Sequence, residues 1–305
     1  MKIADIHPIP LARINTDLPG AAAAFGDAFA RTGFAVVSDH GIPQPLIDRA
    51  LVATKALFAL PEAVKAGHVV PGGGGQRGMT AFGVEAAKGA ARSDLKEFWH
   101  VGRDLPDGHR FADVMPPNIW PDVPDFREAV SALYRALDET GNRMLRAIAA
   151  HLGLDPDFFR PAVADGNSIL RLLHYPPVTG ATDAIRAGAH EDINVITLLL
   201  GAEEAGLQLL TRDGEWHDIA APPGSLVCNI GDMLQRLTGG RLPSTTHRVI
   251  NPTPERAGVP RYSTPFFLHF RPDYLIETMP GGPHDWPPIT ADAFLHERLR
   301  EIKLL

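Results

Sequence analysis

Cysteine is nearly absent from this chain of 305 residues: Cys228 is the only one. A single thiol closes no intrachain disulfide and cannot build a cysteine-ligated zinc module, so neither kind of stapled fold is available. Its setting, the apolar run SLVCNI, reads as a small buried core residue rather than a nucleophile. Runs of Lys or Arg are also missing, and 29 basic against 36 acidic residues give a formal net charge of -7. That balance argues against a nucleic-acid partner, which would call for a basic stripe, and solubility accounts for the acidity. No stretch approaches the ~20 apolar residues of a membrane span. The start, MKIADIHPIP, lacks the apolar core of a secretory leader, so a cytoplasmic protein without a membrane partner is expected.

What is present is ordinary for a globular enzyme: 45% hydrophobic residues, enough for a sizeable core. From Pro19 the small and apolar run AAAAFGDAFART reads as a helix stopped by Gly33, and FAVVSD as a short buried strand. Leu46, Ala50, Ala53 and Leu57 recur at helical spacing, and Pro61 opens a further short helix. Gly72 to Gly75 lack the Gly-Lys-Ser/Thr ending of a phosphate loop, and VVPGGGGQRGMTAFGVEAAKGAARSDLKEFWHVG reads instead as a flexible loop, either over a site or a plain flexible connection. A long amphipathic helix is expected from Asp125 to Leu152, its stripe formed by Phe126, Val130, Leu133, Leu137, Met144, Ile148 and Leu152.

After Ser168 the texture changes to short apolar runs between turns: ILRLLHY, NVITLLL, GLQLL, EWHDI, SLVCNI, DMLQRL, THRVI and RYSTPFFLHF. Several strands at this spacing are expected from these runs, and Ala291 to Lys303 as a last helix. The fold class is therefore α+β, a double-stranded β-helix (jelly roll) flanked by N-terminal and C-terminal helices. No internal repeat or low-complexity linker divides the chain, so one compact unit is expected.

Within the strand-rich half lies His190-Glu191-Asp192. Residues two apart in an extended segment share a side, so His190 and Asp192 can converge while Glu191 faces away. The pattern alone decides little, since composition yields a His-x-acid roughly 1.5 times in such a chain. Context carries more: His247 opens the run HRVI some 55 residues later, and in a jelly roll strands distant in sequence become neighbours. Two imidazoles and one carboxylate leave positions open on an octahedral ion, the donor set expected of a non-haem Fe(II) oxygenase, though catalytic zinc takes it too. Arg261 and Ser263 share one face of a later strand, a guanidinium and a hydroxyl able to hold a carboxylate or an ordinary surface acid.

Taken together, His190-x-Asp192, His247-Arg248-Val249, Arg261-x-Ser263, the turn from Asn229 to Asp232, HYPP from His174 to Pro177, GFAVVSDHGIP and LKEFWHVG resemble the isopenicillin N synthase-like family of iron(II)/2-oxoglutarate-dependent dioxygenases. The resemblance spans nearly the whole chain. It implies a mostly helical N-terminal region over 1–125, a long helix and connection over 126–165, the jelly-roll core over 166–272 and a C-terminal extension over 273–305. It implies Fe(II) held by His190, Asp192 and His247, with 2-oxoglutarate and O2 as co-substrates. Arg261 and Ser263 would bind the distal carboxylate of 2-oxoglutarate. Tyr175 would donate its hydroxyl to the same molecule, a core or rim tyrosine being the alternative. Asn229 stays open between a turn and a substrate-side residue, and the eight residues Pro252 to Val259 lengthen the connection to Arg261 relative to the family.

The implied activity is oxidation of a small-molecule substrate, by hydroxylation, desaturation or ring chemistry, with release of succinate and CO2. Within the family the alternatives are ethylene or succinate formation from 2-oxoglutarate itself and an oxidase independent of 2-oxoglutarate. Outside it stand a non-redox metal enzyme and a non-catalytic jelly-roll binding protein. Neither the primary substrate nor the oligomeric state is written in any motif.

Overall fold

The helices form where the sequence caps them. In the computed structural model, which describes residues 2–3, 6–86, 92–178, 182–200 and 206–301, strands β1 (Lys2–Ile3) and β2 (Pro8–Pro10) precede helix α1 (Leu18–Thr32). Asp17 accepts the Gly20 N–H at 2.9 Å to start α1, and Gly33, at φ 72°, ends it. Strand β3 (Phe34–Ser38), helices α2 (Gln44–Phe58) and α3 (Glu62–Ala66), and strands β4 (Gly78–Thr80) and β5 (Glu97–Gly102) follow. Helix α4 (Phe126–His151) and the short α5 (Arg160–Val163) lead into the strand-rich half.

That half contains β6 (Ile169–Tyr175), β7 (Ala187–His190), β8 (Ile196–Leu200), β9 (Leu207–Leu210), β10 (Trp216–Asp218) and β11 (Leu226–Ile230). Helix α6 (Asp232–Leu237), β12 (His247–Val249), β13 (Arg261–Ser263) and β14 (Pro265–Leu268) come next. The small ribbon β15 (Leu275–Ile276) with β16 (Ile289–Thr290) and helix α7 (Ala291–Glu301) complete the described chain. The large sheet runs β2-β3-β11-β8-β14-β6-β5-β4, with β13 also on β6; the smaller runs β1-β10-β9-β12-β7. Among the described residues no helix is long and apolar enough to cross a membrane.

Alternation along the large sheet decides what faces the space between the sheets. Ala35, Val37, Trp99, Val101, Leu170, Leu172, Ile196, Leu198, Leu226, Cys228, Phe266 and Leu268 join one buried cluster with the stripes of α1 and α4. Their neighbours in sequence, among them His100, Arg171, Tyr175, Thr197, Asn229 and Phe267, therefore point the other way. The polar residues of these strands thus collect on the face turned toward the smaller sheet. Cys228 is free and buried as expected, and burial pushes its thiol well above the usual range.

Two local expectations are corrected. DMLQRL is helix α6 rather than a strand: its buried residues are Met233, Leu234 and Leu237, a three-and-four spacing that a period of two cannot satisfy. The stretch read as a continuous loop contains β4 and β5, and all six residues of β5 are buried. Strand β7, of small residues ending in His190, gave no periodic signal. The last helix is described to Glu301; the expected extension to Lys303 lies outside the described residues.

Helix α4 approaches the sheet closely at Gly141, where an added Cβ would lie 2.4 Å from Leu268 Cδ1 and 3.4 Å from Leu198 Cδ1. Gly141→Leu is expected to lower unfolding free energy by about 1–3 kcal/mol through overpacking. Denaturant unfolding checks this, and unchanged stability would contradict such a close approach.

Candidate metal and co-substrate site

His190 closes β7 and His247 opens β12, and the antiparallel pairing sets them directly opposite each other. Their ring centroids are 4.4 Å apart. His190 Nδ1 lies 2.7 Å from the Gly188 carbonyl oxygen and His247 Nδ1 lies 3.1 Å from that of Thr245. A carbonyl only accepts, so each Nδ1 donates to it and each Nε2 is the ring nitrogen left to face a metal. Crowded by its surroundings and by the facing His247, the His190 imidazole is pushed down to about 4, so it is neutral near pH 7.

Asp192 follows two residues later in the connection from β7 to β8, not within a strand, yet its carboxylate converges on the same point. Oδ1 is 3.8 Å from both imidazole Nε2 atoms. Oδ2 accepts hydrogen bonds from Thr197 Oγ1 at 2.5 Å and Asn229 Nδ2 at 2.7 Å. Thr197 and Asn229 are themselves opposite partners on β8 and β11, so the register of the large sheet delivers both donors together. Burial alone would raise this carboxyl, but the two histidines and the two donors hold it below the usual value. One ligand atom from each of His190, Asp192 and His247 lies within 4.8 Å of the others. Two imidazoles with their Nε2 atoms turned inward and one carboxylate oxygen suit a divalent cation. Glu191 turns aside, accepting from Thr246 Oγ1 at 2.8 Å.

Arg261, Ser263 and Tyr175 come together at another part of the same inner face. The β13–β6 pairing sets Arg261 opposite Tyr175 and Ser263 opposite Leu173. All three are buried, and the Arg261 guanidinium carbon lies 5.0 Å from the Tyr175 ring centroid. Burial loosens the guanidinium's hold on its proton, and the hydrogen-bonded Tyr175 hydroxyl partly restores it.

Between the metal ligands and the surface lies a cavity of about 510 Å³, lined by His190 and Asp192 and also by Gly74, Gly75, Phe98, Phe267 and His269. Its polar wall went unnoticed in the sequence. Arg171 donates to both Glu85 carboxylate oxygens, at 3.0 and 3.3 Å, and to His100 Nε2 at 2.6 Å, while its guanidinium packs 4.0 Å from the Phe98 ring centroid. Lys96 bridges Glu85 at 2.6 Å and Asp94 at 2.8 Å. Asp94 also accepts the Gly188 N–H at 2.9 Å, on the residue whose carbonyl orients His190. The N-terminal half thereby buttresses a metal-site strand. Arg171 shares an inward face with Tyr175 in ILRLLHY, and that polar alternation was the available signal. Asn229, which the sequence left open, is a support of Asp192.

Burial alone would raise the Glu85 carboxyl, but the charges of Arg171 and Lys96 outweigh it and hold the group well below its usual 4.5. A carboxyl that ionises at lower pH when folded stabilises fully above its unfolded value, and that stabilisation is lost as pH falls below it. Glu85→Gln is expected to cost about 3–5 kcal/mol near neutral pH by stranding buried cations. The gap to the native protein should narrow as unfolding is followed below pH 4.5; a gap independent of pH there would contradict the ion-pair account.

Comparisons with known proteins agree with this geometry. Residues 166–270 match the family model of the 2OG-Fe(II) oxygenase superfamily, and residues 3–123 match the model described as non-haem dioxygenase in morphine synthesis N-terminal. A 2-oxoglutarate-Fe(II) type oxidoreductase of Emericella nidulans is 32% identical over 277 residues, covering 85% of this chain and 78% of its own length. A crystal structure from Caulobacter crescentus, assigned to the 2OG-Fe(II) oxygenase family, is 55% identical with a TM-score of 0.91, covering 98% of this chain and 99% of that one. Neurospora crassa T7H in complex with alpha-KG is 27% identical with a TM-score of 0.85, over 97% of this chain and 95% of that one. With the jelly roll, the His-Asp-His cluster and relatives matching along most of its length, the chain belongs to the isopenicillin N synthase-like 2OG-Fe(II) oxygenases, oxidoreductases that use Fe(II), 2-oxoglutarate and O2.

Proposed function

We propose that His190 Nε2, His247 Nε2 and Asp192 Oδ1 hold the Fe(II), and that Arg261, Ser263 and Tyr175 receive the distal carboxylate of 2-oxoglutarate. The single observation that carries the metal assignment is the division of labour in Asp192, with one oxygen fixed by Thr197 and Asn229 and the other turned to two imidazole Nε2 atoms. Bound iron supplies the oxidising chemistry that couples 2-oxoglutarate decarboxylation to oxidation of a second substrate. The protein supplies orientation: the guanidinium of Arg261 and the hydroxyls of Ser263 and Tyr175 suit a carboxylate.

The primary substrate is a small molecule that enters the cavity beside His190 and Asp192. Its size supports this, since about 510 Å³ lies in the range of small-ligand pockets. The related T7H has been solved with alpha-KG and thymine, a small ring compound. Apolar Phe98, Phe267 and Ile169 and the polar Arg171, His100 and His269 would contact such a substrate from the walls. Burial pushes the His269 imidazole down to about 4, so it is neutral near pH 7 and acts there as a hydrogen-bonding group rather than a charge.

Metal analysis after Fe(II) loading and gel filtration separates the ligands from their neighbours. Glu191→Gln should retain iron and Asp192→Asn should lose most of it. Asn229→Ala should weaken binding by roughly 10–100-fold through loss of an outer hydrogen bond. Equal effects of the first two substitutions would show that the ligand face is misassigned.

Incubation with Fe(II), ascorbate and 2-oxoglutarate in air should yield succinate, increased by the true substrate. Arg261→Met should raise the 2-oxoglutarate concentration needed for half-maximal turnover by about tenfold or more. Absence of any 2-oxoglutarate consumption, with and without a panel of small-molecule candidates, would overturn this reading.

A further inference from the structure

Arg186, the residue before β7, is completely buried and belongs to none of the motifs discussed above. Its Nη2 donates to the Val259 carbonyl oxygen at 3.1 Å, whereas Nε and Nη1 are buried with no hydrogen-bond partner among the described residues. Val259 ends the lengthened connection from Pro252, two residues before Arg261, so that insertion brings the acceptor to Arg186. The Arg186 guanidinium carbon lies 5.9 Å from the Tyr175 ring centroid, and that of Arg261 lies 5.0 Å from the same centroid. Two guanidinium groups thus share one aromatic ring in the interior of the molecule.

A buried cation is costly unless an opposite charge or a full set of acceptors meets it. Among the described residues no carboxylate lies close enough to offset Arg186. Burial first, and then the like charge of Arg261, loosen its hold on the proton, with Tyr175 acting the other way. Two unmet N–H directions, a positive neighbour and no acid define a place for an anion. Arg186 precedes His190 by four residues of extended chain, about 13 Å at strand rise. It therefore stands away from the metal ligands, beside the Arg261–Tyr175 pair.

We propose that Arg186 is a second carboxylate-binding guanidinium of the co-substrate pocket, which together with Arg261 holds the distal carboxylate of 2-oxoglutarate. This rests on the reading of Arg261, Ser263 and Tyr175 given under Proposed function. The consequence is specificity: a dicarboxylate brings a counter-charge to Arg186, while a 2-oxo acid with an uncharged tail brings none. Discrimination between the two kinds of acid then depends on Arg186 as much as on chelation at the metal end.

The test is calorimetric titration, without oxygen, of the Fe(II)-loaded protein with 2-oxoglutarate and with 2-oxovalerate, which has the same chain length and chelating end but no distal carboxylate. Arg186→Met should weaken 2-oxoglutarate by roughly 10–100-fold and leave 2-oxovalerate nearly unchanged. Arg186→Gln, which can still donate to the Val259 carbonyl, should do the same and carries the test if the methionine variant fails to fold. A role in packing alone would weaken both acids equally or neither, and either result overturns the proposal. Arg261→Met separates the two levels of inference. If it leaves 2-oxoglutarate affinity unchanged, the assignment of the pocket itself is wrong; if it weakens 2-oxoglutarate while both Arg186 variants do not, only the second guanidinium is wrong.

Discussion

The carboxylate of Asp192 is the point on which the site depends. A lone carboxylate rotates and offers either oxygen; this one has Oδ2 tied by Thr197 and Asn229, which leaves Oδ1 toward the two imidazoles. The tie exists only because β8 and β11 pair in the register that sets Thr197 opposite Asn229. A slip of one residue would turn both side chains into the helix-facing core and free the carboxylate. The same register packs Leu198 and Cys228 against α4 and its neighbours. Core packing and ligand orientation are thus one constraint seen from the two faces of a sheet.

The N-terminal half contributes to the same site through charge. Glu85, Asp94 and Lys96 come from the segment between β4 and β5, and Arg171 comes from β6. Two acids and two bases balance, so this cluster beside the metal ligands is polar without a net charge. Asp94 extends this group to the Gly188 N–H, and the Gly188 carbonyl fixes the His190 tautomer. Loss of the N-terminal contacts would therefore be felt at a metal ligand with which they share no bond. Such outer contacts are how ligand orientation is commonly set in metal sites.

Much of this was legible in the residues. The stripe from Phe126 to Ile148 became α4, and His190, Asp192 and His247 converge as their spacing and a returning strand suggested. Arg261 and Ser263 share a face because β13 is extended, which period two already required. What stayed hidden depends on partners remote in sequence. Asn229 stayed open between a turn and a substrate-side residue because the 37 positions separating it from Asp192 collapse only when β11 pairs with β8. Arg186 carried no signal in the sequence, since burial of an arginine is set by tertiary packing and no local pattern marks it. The DMLQRL run was misread because it is too short, among runs of similar length and spacing, for its three-and-four pattern to stand out.

The central claim, that this cluster holds Fe(II) with room for 2-oxoglutarate to chelate it, is tested most directly by visible absorption under anaerobic conditions. Adding 2-oxoglutarate to the Fe(II)-loaded protein should produce a weak charge-transfer band that saturates at one equivalent, and His247→Ala should abolish it. Iron bound at one equivalent with no band at any 2-oxoglutarate concentration, or a band that survives loss of His247, would contradict the account.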